Sequence, residues 1–185
     1  MLDSIDLLIL DVDGVLTDGR IVYDSRGAEI KAFHVLDGQA VKYWLRAGHD
    51  AAILSGRASR PIRVRARELG VRAVYMDAKD KLPVFEKILK RFRRAADHVC
   101  YIGDEFVDLP VMARVGFAVA TAGAVDEVKR VAHYVTQGAG GAGAVRETIQ
   151  LILESQGRWA DATARYRDRL PAALPARRRP WRDAP

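Results

Sequence analysis

Short apolar runs recur along the chain with no polar residue breaking them: residues 7–10 (LLIL), 51–54 (AAIL), 73–76 (AVYM), 99–102 (VCYI), 117–120 (FAVA) and the shorter 134–136 (YVT). Runs without alternation suit strands buried on both faces, as in a parallel sheet covered by helices. Between them the period changes. Residues 59–69 (SRPIRVRAREL) place Ser59 before a proline in the first turn, which predicts a helix start. Within 82–92 (LPVFEKILKRF), Val84, Ile88 and Phe92 recur four apart, one face of a second helix. Alternation of strand and helix predicts right-handed crossovers and an α/β fold, a three-layer Rossmann-like sandwich with a mainly parallel sheet. One segment departs from this order. In residues 20–35 two extended runs flank a turn signal from Asp24 to Gly27, predicting a β-hairpin inserted after the first strand. The structured domain is expected over residues 4–155.

Composition adds little until charge is located. Hydrophobic residues make up 49% and charged residues 29%, which fits a globular chain. No apolar run reaches the roughly 18 residues of a membrane span, and the start, MLDSIDLL, lacks a basic n-region. A cytoplasmic location is the expectation, and the single Cys100, set in an apolar strand, reads as core. The formal net charge is +6, but eight arginines and three aspartates in residues 156–185 contribute +5 of it. That stretch also holds four of the seven prolines, so it is expected to be a flexible basic extension without a core.

Ligands in open α/β sheets sit beyond the carboxyl ends of the strands, and here those ends are polar. The first run is followed by Asp11 and Asp13, the second by Ser55, Gly56 and Arg57, and the fourth by Gly103, Asp104, Glu105 and Asp108. Converging carboxylates disfavour one another's ionisation and call for a cation or shared protons. Oxygen ligands without histidine or cysteine point to Mg²⁺ rather than zinc. Such a site suits a phosphate ester: Asp11 would attack phosphorus, and Asp13 would serve as general acid and then base. Ser55 would donate to the phosphoryl group from its hydroxyl and backbone N–H, and Lys81 would neutralise charge shared with Asp11. Asp11, Asp13 and Asp104 would hold the metal, with Glu105 and Asp108 in support.

D-x-D-G-V-L-T-D-G, S-G-R, a later lysine and G-D-x-x-x-D, in that order, resemble the haloacid dehalogenase superfamily of aspartate-nucleophile phosphatases. The further stretches KAFHVLDG, YIGDEFVDLPVM and GGAGAVRE resemble the 3-deoxy-D-manno-octulosonate 8-phosphate phosphatases, over about residues 4–157. The resemblance implies Mg²⁺-dependent hydrolysis of an eight-carbon sugar acid phosphate on the lipopolysaccharide pathway. It also implies a homotetramer in which hairpins pack together and a neighbouring chain closes the site, and it implicates Arg57 and Arg65 in gripping the anionic substrate. Only about forty residues separate Asp13 from Ser55, and about twenty-five separate Ser55 from Lys81, so no cap domain is expected. The chain departs from the family pattern at Glu105, where a second aspartate is usual, at Gln137, where a histidine is usual, and at Ala142, where an arginine is usual.

Other readings stand beside these. Within the enzyme class the alternative is a phosphatase for a nine-carbon sugar acid 9-phosphate. From another class, it is a polyanion-binding protein on a phosphatase scaffold, using the arginine-rich extension. Nucleic acid is not the expected partner, since the charge outside that extension is nearly balanced. His34, at the end of the hairpin, reads as a packing or hydrogen-bonding residue rather than a ligand.

Overall fold

The computed structural model describes residues 2–168; Met1 and residues 169–185 lie outside them. Strands β1 (Leu7–Leu10), β4 (Asp50–Leu54), β5 (Ala73–Tyr75), β6 (Val99–Gly103), β7 (Phe117–Ala120) and β8 (Tyr134–Val135) pair in the order β5-β4-β1-β6-β7-β8. Every pairing in this sheet is parallel. Strands β2 (Val22–Tyr23) and β3 (Glu29–Ile30) form a separate antiparallel hairpin. The helices are α1 (Val35–Arg46), α2 (Arg60–Leu69), α3 (Lys81–Phe92), α4 (Leu109–Met112), α5 (Asp126–Val131), α6 (Ala144–Ser155) and α7 (Trp159–Arg167).

The period-two geometry of the strands explains the unbroken apolar runs. Leu8 and Leu10 of β1 pack into a core with Trp44 of α1, Ile62 of α2 and Ile149 of α6. Leu7 and Ile9 point the other way, into a core with Phe85 and Ile88 of α3, Val111 of α4 and Val128 of α5. Both faces are covered, so all four residues of β1 are buried. Cys100 is fully buried in β6. Because β1 lies between β4 and β6, the crevices beside its carboxyl end are where the chain reverses direction across the sheet, the place where such folds bind ligands.

Local signals were met with small differences. Helix α2 begins at Arg60 with Pro61 in its first turn and stops at Gly70 (φ 84°), but the Ser59 side chain makes no capping bond. Helix α3 is capped instead by Asp80, whose carboxylate accepts from Leu82 N at 3.1 Å, and its buried stripe runs through Lys81, Phe85 and Ile88, one position off Val84. The hairpin turn is tied by Asp24, which accepts from Arg26 N at 2.9 Å and Ala28 N at 2.8 Å.

The expected boundary at residue 155 falls too early. Helix α7 lies inside the stretch read as coreless, and its Ala162 is 3% exposed within the α1 side of the core. Trp159 meets Tyr43 edge to face at 5.5 Å, and Arg146 lies 4.6 Å above the Trp159 ring. Arg46 Nη1 donates to Ala162 O at 2.6 Å, and Gln39 donates to Tyr166 Oη at 3.0 Å. An average over residues 156–185 hid this helix, because the prolines and the arginine triplet all lie after residue 168. Trp159→Ala is expected to lower unfolding free energy by about 1–3 kcal/mol in urea titrations, since the indole is partly exposed and its removal leaves a shallow cavity; an unchanged midpoint would mean that α7 adds nothing to the fold.

Candidate active site

Asp11 leaves the end of β1, Asp104 the end of β6, and Lys81 opens α3, so the strand order brings the three together above β1. Lys81 Nζ, in a side chain 1% exposed, lies 2.9 Å from Asp11 Oδ1 and 2.6 Å from Asp108 Oδ1. Tyr101, fully buried in β6, donates its hydroxyl to the same Asp108 oxygen at 2.5 Å. The other Asp108 oxygen accepts from Asp104 N at 2.9 Å and Glu105 N at 3.2 Å. Asp108 is thus wholly engaged in holding Lys81 and the loop that carries Asp104, which is a supporting role. Glu105 is exposed and caps the short turn Phe106–Asp108 through Phe106 N at 2.7 Å, so its longer side chain does not disturb the cluster.

Asp11, Asp104 and Asp108 each place a carboxylate oxygen within 4.8 Å of the others. Burial pushes the Asp11 carboxyl up to about 6; Lys81 opposes the shift and Asp108 adds to it. Burial, reinforced by Asp11 and Asp108, pushes Asp104 up to about 7. Burial also works against the Lys81 ammonium, but Asp11 and Asp108 outweigh it and hold its pKa above the usual lysine value. One lysine faces three carboxylates, and Asp104 Oδ1 is buried without a hydrogen-bond partner among the described residues. An all-oxygen set with an orphaned buried oxygen and surplus negative charge fits a hard divalent cation.

Asp13 is not part of this trio. Its carboxylate pairs with Lys31 of the hairpin and lies 3.6 Å from Arg57 Nε, so the expected third carboxylate ligand points elsewhere. Ser55 is buried at the end of β4, but its backbone N–H donates to Tyr75 O at 2.9 Å as part of the sheet. The expectation of two Ser55 donors is corrected to one: the hydroxyl, which accepts from Arg57 N at 3.2 Å, keeps its own proton to give. Gly56 follows, its carbonyl taken by Lys79 Nζ at 2.7 Å. Arg57 reaches back to the hairpin, 2.9 Å from Glu29 Oε1 and 3.4 Å from Tyr23 Oη.

Arg65 Nη2 donates to His34 O at 3.2 Å, and its guanidinium stands over Phe33. With Glu29, Lys31 and Phe33 it lines a cleft of about 760 Å³ between the hairpin and α2. Because Lys31 both lines this cleft and pairs with Asp13, the cleft adjoins the loop that follows β1. A second cleft of about 740 Å³, around Asp6, His49 and His98, opens at the amino ends of the strands, away from these residues. The His34 ring, expected to serve packing or hydrogen bonding, lies 3.6 Å from Asp37 Oδ2.

Backbone packing fixes the loop after β1. A Cβ on Gly14 (φ 85°) would overlap Asp104 Oδ2, and one on Gly140 would overlap Gly14 O. Gly141 N donates to Val15 O at 2.9 Å. Asp37 of α1, 1% exposed, accepts from Gly143 N at 3.1 Å and Arg146 N at 2.8 Å, capping α6 where Gly143 has no side chain to do so. At the other two positions that depart from the family pattern, Gln137 N is bound to Glu147 Oε1 at 2.9 Å, and Ala142 N is bound to Ala139 O at 3.1 Å.

Residues 73–147 match the model of haloacid dehalogenase-like hydrolases. Over 160 residues, 86% of each chain, the sequence is 42% identical to the 3-deoxy-D-manno-octulosonate 8-phosphate phosphatase of Yersinia pestis. The chain belongs to that phosphatase family. The structure of the family's Moraxella catarrhalis member, in complex with a magnesium ion, a phosphate ion and the KDO molecule, superposes with a TM-score of 0.87 at 36% identity, covering 89% of this chain and 95% of that one. The cobalt-bound form of the Haemophilus influenzae member gives a TM-score of 0.82 at 40% identity, covering 85% of this chain and 89% of that one. The family's fold is the capless α/β sandwich described above.

Lys31, Glu29, Tyr101 and Asp37 take part in or support this site and were not singled out from sequence. For the first two the sequence misleads: alternation predicts Ile30 inward, whereas Glu29 and Lys31 are the less exposed positions and Ile30 the more exposed one.

The raised Asp11 and Asp104 values have a defined sign. Both lie above the ordinary 3.8, so the folded protein binds these protons more tightly than the unfolded chain, and their contribution to stability grows as pH falls through about 7 and 6 and is lost as pH rises. A divalent cation competes with those protons. Mg²⁺ is therefore expected to raise the unfolding temperature more at pH 8 than at pH 5.5; an equal shift at both would show that the cation binds elsewhere.

Proposed function

We propose that the protein is a Mg²⁺-dependent phosphatase that hydrolyses 3-deoxy-D-manno-octulosonate 8-phosphate to the free sugar acid and phosphate, a step toward lipopolysaccharide, in the cytoplasm. The observation that carries this reading is the buried pairing of Lys81 with Asp11 beside the unpartnered Asp104 oxygen, in a chain of this family.

Asp11 attacks phosphorus; an oxygen–phosphorus bond forms as the bond from phosphorus to the C8 oxygen breaks, and Asp13 gives that oxygen a proton. Asp13 then takes a proton from water, which attacks the aspartyl-phosphate, releases phosphate and restores Asp11. Lys81 holds the attacking carboxylate in place and offsets charge on the phosphoryl group, to which the Ser55 hydroxyl donates. When bound by Asp11 and Asp104, Mg²⁺ neutralises the repulsion between nucleophile and phosphoryl oxygens. Arg57 and Arg65, on the side of the hairpin cleft, are suited to the sugar carboxylate.

The hairpin supports assembly into a homotetramer. Ile21, Val22, Tyr23 and Ile30 are 44–57% exposed on one small two-stranded ribbon, more apolar surface than so short an element carries without a partner. A four-chain mass is expected in sedimentation, falling to smaller species with Val22→Asp; a monomeric wild type would remove the assembly reading.

The deciding assay is phosphate release from 3-deoxy-D-manno-octulosonate 8-phosphate against a nine-carbon sugar acid 9-phosphate and an aryl phosphate, with Mg²⁺ or EDTA. Preference for the eight-carbon acid is expected, with EDTA and Asp11→Asn each lowering turnover by more than about 1,000-fold. Preference for the nine-carbon acid would keep the chemistry and change the substrate.

A further inference from the structure

Glu29 and Lys31 alternate with Ile30 along the outgoing arm of the hairpin. The two charged side chains are 12% and 1% exposed, whereas Ile30 is 52% exposed. Buried charges need partners. Lys31 Nζ pairs with Asp13 Oδ1 and stands 3.2 Å from Glu29 Oε1; Arg57 stands 2.9 Å from Glu29 and 3.6 Å from Asp13 Oδ2. Two anions and two cations close a ring in which each carboxylate faces both cations.

Asp13 lies two residues from Asp11, on a loop that also meets Asp104 at Gly14. A carboxylate so close to a cation site competes for coordination, and once coordinated it is turned toward the metal and away from the leaving oxygen. Something must hold it off. We propose that Lys31 is a positioning residue that keeps the Asp13 carboxylate outside the metal cluster and aimed for proton transfer to the leaving oxygen. This rests on the phosphatase reading above. Glu29 balances the second charge of the ring, so that Lys31 and Arg57 together do not over-neutralise Asp13. The inserted hairpin thereby supplies a part of the site that no strand end of the main sheet provides.

The test uses a series of aryl phosphates running from nitrophenol to unsubstituted phenol, which need protonation of the leaving oxygen to rising degrees and carry no sugar to confound binding. In Lys31→Met, kcat/KM is expected to fall about tenfold at the phenol end and by less than about twofold at the nitrophenol end. Lys31→Arg should recover most of the loss. Mg²⁺ affinity, read by titration calorimetry on the protein without substrate, should tighten several-fold as Asp13 becomes free to coordinate. Lys31→Gln, which keeps a polar group of similar length, gives the same readings if the methionine variant does not fold. Equal losses across the series, or an unchanged Mg²⁺ affinity, overturn the inference while leaving the phosphatase intact. A wild type that turns over no phosphate ester overturns the phosphatase reading and this inference with it.

Discussion

A lysine ammonium buried between two carboxylates governs this molecule. Lys81 is 1% exposed and has no access to bulk water, so it stays charged only because Asp11 and Asp108 are within 2.9 and 2.6 Å. Asp108 in turn gathers Tyr101 and the amides of Asp104 and Glu105. Strand ends from β1 and β6 and the first turn of α3 are therefore tied by one charge, and removing any member leaves the others uncompensated. The same cluster carries more negative than positive charge, so the interaction that organises the site also leaves it short of a cation.

The architecture was legible because β1, β4, β6 and β7 bury both faces, and a short apolar run without alternation fits a strand covered by helices on either side better than any half-solvated element. Residues that act at strand ends were legible for a related reason: an aspartate after four buried aliphatic residues, such as Asp11, has no structural reason to be there. Side-chain direction was not legible. Asp13 and Ser55 sit at the expected positions, yet Asp13 turns to the hairpin and the Ser55 amide belongs to the sheet. Spacing along a chain fixes where a backbone arrives and says little about which of two neighbouring carboxylates faces a cation.

Long-range polar partners were also hidden. Asp37 caps a helix more than a hundred residues later, and nothing in the composition of α1 announces it. Helix α7 was lost for a different reason, since a charge count over thirty residues blurred nine that are amphipathic enough to pack.

The glycine-rich turn before α6 presses backbone against backbone on the loop that follows β1, with Gly140 over Gly14 and no room for a side chain between them. At these two positions a side chain has no place: one on Gly140 would overlap Gly14 O, and one on Gly14 would overlap Asp104 Oδ2. The hairpin and α2 flank the site with exposed and half-buried side chains on separate elements. The two walls of the site thus differ in kind: backbone pressed on backbone at Gly140 and Gly14 on one side, side chains from two separate elements on the other.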